Sequence, residues 1–255
     1  MSSIIWATRL EGVRVVDLLK KQYSNTSHQL LLSVAEQMKL PLLQIARQAE
    51  LGIMGVENNN YTTIQTLAEN SLHLLDGYSL SLQLAHQYGY QFVTESVSVA
   101  AVLYDANQQL QSLAKLYDVQ LELNIGGKYG PVLANRKALE SAIVGLASAL
   151  IEVIPAQMNS NCSTLHLATH RCRYGIVAGV YASVPGLSSE ALRKGRKLYG
   201  LSRQPLVGIS HSSGTGIFVA DSIFRAMKLN LHVSRHRRLY GLGVVLRPSS
   251  QLALV

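Results

Sequence analysis

Four side chains of this sequence share both a chemistry and a parity. Cys162, His166, His170 and Cys172 are thiols and imidazoles at even spacing, so a continuous strand would place all four on one face, and both types ligate zinc. The spacing argues against a shared ion, because at about 3.3 Å per residue ten residues of extended chain cover about 33 Å. A turn near Arg171 would change that, but ordinary strand residues are the simpler reading, and no metal is expected. His73, His86 and His211 have no serine or aspartate at triad spacing, which removes the support for a hydrolase. The formal net charge is +8, and its clusters come late, as Arg193, Lys194, Arg196 and Lys197 and then Arg235, Arg237 and Arg238. Such charge attracts acidic partners, nucleic acid or phosphate-bearing ligands without choosing among them, and solvated loop charge is the simpler reading. Without helix-turn-helix or zinc-finger spacing, nucleic acid is not an expected partner. Twelve tyrosines spread along the chain read as packing and surface residues, not as a platform for bases.

The elements that must position these residues fall into two textures. Hydrophobic residues make up 48% of the 255 and charged ones 15%, which places the chain among folded globules, with two modest domains as the natural division. From Ser27 to Gly52 the apolar residues Leu30, Leu31, Val34, Met38, Leu42, Ile45, Ala49 and Leu51 recur at helical steps. A polar break at Asn58, Asn59 and Asn60 precedes a second helical pattern through Ile64, Leu67, Leu72, Leu75 and Leu82. Two helices with wide apolar faces cannot bury them against each other alone, so the spacing predicts a hairpin that dimerises into a four-helix bundle. An earlier segment, Ile4 to Gln22, is also helix-compatible.

After Gln91 the pattern predicts a strand around Phe92 to Glu95, a helix from Val99 to Tyr117, a strand from Val119 to Ile125 and a helix from Lys137 to Ile154. Strands near Leu165 to His170 and Ile176 to Ala182 follow, then a loop-rich stretch to Ser213. A helix from Gly216 to Met227 and strands around Leu231 to Ser234 and Leu242 to Arg247 complete the chain. The fold class is therefore α+β, a helical hairpin followed by a two-layer α/β sandwich, with boundaries at 1–25, 26–90 and 91–255. No apolar run approaches the roughly 18 residues of a membrane span, and two cysteines are too few for a disulfide framework, so a cytoplasmic location is expected.

Within this order four motifs stand out, KLPLLQIARQAEL from Lys39, SAIVGLASALIEVIP from Ser141, YASVPGLSSEAL from Tyr181 and SSGTGIFVADSIFRAMKLNLHVS from Ser212, and together they resemble the core of sensor histidine kinases. KLPLLQIARQAEL, Lys39 to Leu51, lines up without gaps against the segment that follows the family's phosphorylated histidine, and the phosphoacceptor position falls on Glu36. SAIVGLASALIEVIP resembles the family's N box, with Gly145 and Ala149 at the two asparagine positions and Glu152 at the lysine. Magnesium demands oxygen donors, and neither Gly145 nor Ala149 offers a side-chain oxygen where the family has asparagine. YASVPGLSSEAL resembles the first glycine-rich box: Gly186 keeps its last glycine, Val184 replaces its first, and Ala182 stands where an aspartate reads the adenine amino group. SSGTGIFVADSIFRAMKLNLHVS aligns with the second glycine-rich box, and Gly214, Thr215 and Gly216 match the Gly-x-Gly that lets backbone amides approach phosphate at a helix N-terminus. Ser212 replaces that box's first glycine.

The resemblance spans roughly residues 26 to 248. It implies a dimerisation and phosphotransfer-like hairpin followed by a degenerate ATP-binding domain, with a vestigial nucleotide site at Gly186, Gly214, Thr215 and Gly216 and lost ligand positions at Ala149 and Ala182. Function then reads as a catalytically impaired, histidine kinase-like regulatory or adaptor protein in two-component signalling, not an enzyme. Its expected partners are a second copy of itself and response-regulator receiver domains or other histidine kinases; ATP and magnesium are not expected cofactors. Glu36 reads either as a mimic of phosphohistidine, with one charge against nearly two, or as a solvent-facing residue on a bundle helix. The segment Arg193 to Lys197 falls at the family's ATP lid, where it would hold phosphates without magnesium or become a mobile charged loop. The alternative is a protein that retains activity as a phosphotransferase through His28, in SHQL, or as a nucleotide-binding switch through the Gly214 to Gly216 turn.

Overall fold

The computed structural model describes residues 31–54, 61–86, 93–157, 163–182, 187–198, 206 and 211–249. Among the described residues, the first two elements form the helical pair. Residues 31–53 are helical and are named α1; Tyr61–His86 is α2. The segment 1–25 and His28 lie outside the described residues.

The sandwich follows in the order β1 (Glu95–Val97), α3 (Val99–Leu116), β2 (Val119–Ile125), β3 (Val132–Ala134), α4 (Arg136–Gln157), β4 (Ser163–Cys172), β5 (Gly175–Ala182), α5 (Ser189–Leu198), α6 (His211–Ala226), β6 (His232–His236) and β7 (Leu239–Leu246). Local chemistry sets several of the boundaries. Ser98 caps α3, its Oγ accepting from the Ala101 amide at 3.4 Å, and Asn135 caps α4, its Oδ1 accepting from the Ala138 amide at 2.9 Å. Asp118 ends the α3 turn with φ at 53°, a left-handed conformation that aspartate tolerates better than most residues.

Five strands form one mixed sheet in the order β2-β4-β5-β7-β6, with β2 parallel to β4 and the other pairs antiparallel; β1 and β3 make a small separate ribbon. One face of the sheet, through Leu165, Leu167, Ala178, Val180, Ala182, Leu242, Val244 and Leu246, is buried in the same core as α3, α4 and α6. This is the sandwich the sequence predicts.

The helical layer is covered on its other side as well. No residue of α4 from Ala138 to Ile154 is exposed, a pattern that a helix with one solvent face cannot produce. The cover is the hairpin, whose Val34 belongs to the common core while Met38, Leu74, Tyr78, Leu80 and Leu84 pack against it. Small residues on α2 allow the close approach: a Cβ added at Gly77 would stand 3.3 Å from Val219 Cγ1 of α6 and 3.4 Å from Ser141 Oγ of α4. The Asn70 side chain of α2 donates to Glu152 of α4 at 3.0 Å.

Three sequence expectations need correction. The stretch read as loop before Ser213 contains α5, whose helix is capped by Ser188 Oγ accepting from the Ala191 amide at 3.1 Å. Helix α6 starts at His211, not Gly216. The early strand is Glu95–Val97, with Val93 and Thr94 of the expected Phe92 to Glu95 ahead of it and Phe92 outside the described residues, and β3 at Val132–Ala134 is a further strand that three residues of pattern were too short to announce.

Candidate functional site

Helices α4 and α6 cross where the resemblance places magnesium and phosphate. A Cβ added at Gly216 would meet the Gly145 carbonyl oxygen at 3.0 Å and the Ala149 Cβ at 3.1 Å, so the two helices touch with only hydrogen atoms between them. Ala149 is buried at 2% exposure. Gly214, Thr215 and Gly216 are all buried, inside the first two turns of α6. This corrects the reading of the three residues as a turn ahead of a helix. In an α-helix only the first four amides lack an intrahelical acceptor, so a helix starting at His211 leaves the amides of Thr215 and Gly216 committed to its own ladder. Thr215 instead turns its hydroxyl to the hairpin, donating to the Ser33 carbonyl of α1 at 3.3 Å.

Ala182 closes β5, paired in register with Leu165 on one side and Tyr240 on the other, and is buried at 1% exposure. Gly186 and Val184 lie outside the described residues. Glu152, at the family's lysine position, is engaged by Asn70, and burial together with the Glu152 carboxylate pushes the Tyr117 phenol up to about 12.

The basic segment at the lid position is helix α5, and its central arginine is occupied. Arg196 grips Asp221 of α6 with two nitrogens, Nε at 3.0 Å and Nη2 at 2.7 Å, and the same Nη2 donates to the Leu231 carbonyl at 2.6 Å. Arg225 adds a second ion pair to Asp221 at 3.0 Å. Beside it Gly195 leaves room for Leu206 and Phe218, since a Cβ there would fall 2.7 Å from Leu206 Cδ2. The expectation of a mobile charged loop is therefore corrected to a helix pinned onto α6, with Arg193, Lys194 and Lys197 left on its exposed side and Lys194 paired to Glu190 at 2.9 Å. Sequence reasoning missed Asp221; an acid in the middle of an apolar helix, IFVADSIF, was the available signal.

Glu36 lies on the outer side of α1, its side chain half exposed, with Lys39 Nζ 2.5 Å from Oε1. Along the same stripe of α1, Leu32, Leu40 and Leu43 are 60%, 48% and 66% exposed among the described residues. Leu72 and Leu75 of α2 are exposed as well. His73 is exposed on α2. His166, His170 and Cys172 do share one face of β4, which turns back at Arg173 and Tyr174, not at Arg171; Cys162 lies outside the described residues. No three His, Cys, Asp or Glu side chains stand together as metal ligands among the described residues.

No family model matches the sequence, and no curated protein matches it. Solved structures do. The histidine kinase AdeS of Acinetobacter baumannii superposes with a TM-score of 0.50 at 15% identity, covering 83% of this chain and 96% of that one. The chain has the fold of a histidine kinase core. Full-length ShkA, solved in complex with AMPPNP, matches with a TM-score of 0.51 at 14% identity over 75% of this chain and 40% of its own. The histidine kinase ThkA, solved in complex with the response regulator TrrA, matches with a TM-score of 0.51 at 11% identity, over 92% of this chain and 63% of that one. The hairpin and the sandwich both fall within these matches, and no helix of the described residues is long and apolar enough to cross a membrane.

Proposed function

We propose that this chain is a catalytically impaired, histidine kinase-like regulator in two-component signalling, acting by binding receiver domains or other kinases through a dimeric hairpin. The observation that carries this is the combination, within one fold, of Glu36 at the phosphoacceptor position, Ala149 at the magnesium position and Ala182 at the adenine position. Phosphoryl transfer on this fold needs a nucleophile, a metal held by oxygen ligands and a bound base, and these three residues offer a carboxylate and two methyl groups. The close crossing at Gly216, Gly145 and Ala149 supports the same reading, because a helix α6 packed this tightly on α4 keeps the Thr215 and Gly216 amides in its own ladder instead of offering them to phosphate.

The partner surface in this proposal is the exposed apolar stripe of α1 beside Glu36, together with the exposed leucines of α2. Leu32, Leu40 and Leu43 are exposed at helical steps on the stripe of α1 that carries Glu36, Leu72 and Leu75 are exposed on α2, and apolar residues gathered on a surface mark protein contacts. ThkA with its response regulator supplies the precedent for a receiver on this fold. Calorimetry of the purified chain with ATP and magnesium should give no saturable heat. A receiver domain titrated into the wild type should bind, and Leu43→Asp should abolish that binding. Magnesium-dependent phosphorylation of the protein would overturn the proposal, and phosphate found on His28 by mass spectrometry would establish the phosphotransferase alternative.

A further inference from the structure

The face of the sheet turned away from the helices is not open. Arg237, in the turn between β6 and β7, donates from Nη2 to Asn124 Oδ1 at 3.0 Å, although Asn124 sits on β2 at the opposite edge of the five strands. In a flat sheet those edges lie about 19 Å apart at about 4.8 Å per strand, well beyond the reach of an arginine, so the sheet curls and its outer face is concave. Three glycines make the curl possible. A Cβ at Gly241 would stand 2.1 Å from the Val180 carbonyl oxygen, one at Gly179 2.6 Å from that of Leu242, and one at Gly243 3.1 Å from that of Ala178.

Within the concavity Tyr181 is fully buried, its hydroxyl accepting from Ser234 Oγ of β6 at 2.8 Å. His236 of β6 and His170 of β4 close on it, with ring centroids 5.3 and 6.3 Å from the tyrosine and 5.6 Å from each other. His236 is 8% exposed. Its Nε2 and the Nδ1 of His170 are buried without a hydrogen-bond partner among the described residues. On the same face stand Glu122 of β2, His166 and Cys172 of β4, Tyr181 of β5, His232 and Ser234 of β6, and Arg237 of the turn. The carboxylate among them, Glu122, lies against His166, 3.2 Å from its Nδ1. The charges that act on His170 and His236 are all cationic when present.

We propose that this curled face is a proton-operated latch, in which neutral imidazoles at His170 and His236 let β6 and its turn close over Tyr181 and protonation of either releases them. Protonating one ring creates a buried charge beside Arg237 and the other imidazoles, with no acid against it, and the cheapest relief is to part β6 from the tyrosine and expose the rings to water. Burial, then the neighbouring histidine or arginine charges, pushes both imidazoles below their ordinary value of 6.5. The sign follows. With the closed-state value depressed, the closed form holds its full advantage above pH 6.5 and loses it as the pH falls below 6.5 toward the depressed value. One unit below 6.5, each imidazole that is protonated more readily in the open form than in the closed one shifts the balance toward opening by at most about tenfold.

Hydrogen exchange read by mass spectrometry at pH 7.5 and 5.5, corrected for intrinsic exchange, tests this on the full chain. Peptides covering 232–240 should exchange faster at pH 5.5 by up to about tenfold per histidine, while α4 peptides keep their protection. In the His170→Gln, His236→Gln double variant the difference between the two pH values should vanish. Equal corrected rates in the wild type, a uniform loss of protection across the sandwich, or a pH response that survives in the double variant would each overturn the proposal. Should the variant fail to fold, imidazole titration of the wild type by NMR decides: rings of His170 and His236 that titrate as free histidine does would end the argument.

Discussion

Removing the carboxylate of Asp221 should unfasten α5 from the rest of the protein. Asp221 is 4% exposed and holds two guanidinium groups, Arg196 through 2.7 and 3.0 Å contacts and Arg225 at 3.0 Å. Asp221→Ala leaves both arginines facing each other with no counter-charge. Breaking a buried pair costs about 3 to 5 kcal/mol, and because Arg196 is 26% exposed and Arg225 54%, the lower end applies, about 3 kcal/mol. For a chain of this size each kcal/mol moves the thermal midpoint by about 2 to 4 °C, so the expected shift is about 6 to 12 °C downward. Arg196→Met should cost less, since Arg225 still satisfies Asp221 and the methionine keeps the apolar stem. The double variant Arg196→Met, Asp221→Leu should lose less than Asp221→Ala alone, because no buried charge is then left unpaired. Circular dichroism melts measure all three, and limited trypsin digestion at Arg193 and Lys194 reports whether α5 has come free. A midpoint for Asp221→Ala within about 2 °C of wild type would refute the claim that this pair pins the helix.

Two further substitutions test the architecture around the site. Gly241→Ala places a methyl 2.1 Å from the Val180 carbonyl oxygen and 2.7 Å from Tyr181 Cδ1, and since backbone cannot yield as a side chain does, the loss should reach at least about 3 kcal/mol in urea unfolding. Gly77→Leu drives a side chain between α2 and the α4–α6 pair, and should cost about 1 to 3 kcal/mol and raise hydrogen exchange in α2 before the sheet responds; an unchanged melt would mean that the hairpin does not depend on this contact.

The long helices were legible because their signals are local and repeated. Val99–Leu116 and Val119–Ile125 stand within a residue of their periodic patterns, and the hairpin was announced by apolar residues at three- and four-residue steps on both sides of the Asn58 to Asn60 break. Helix α5 was not, because SEALRKGRKL is so polar that one leucine and one glycine are all the apolar surface it buries, and the partner of its inward Arg196, Asp221, lies 25 residues on. Of the site, the substitutions at positions 36, 149 and 182 could be read from the chain alone. The engagement of Thr215 with Ser33, 182 residues away, could not.

What the sequence determined by itself was therefore which groups are present: a carboxylate at 36, methyls at 149 and 182, glycines at 214 and 216, and imidazoles at even spacing on two strands. What only the tertiary structure decided was what those groups touch. Gly216 could equally serve a phosphate loop or a helix crossing, and the choice was made by where α6 begins and how closely α4 approaches it. His170 and His236 lie on strands that are not neighbours in the sheet, and they meet because glycines let it curl. Residue identity sets chemical capacity within a few positions of chain, while proximity between distant segments comes from packing the whole, and no local pattern encodes that.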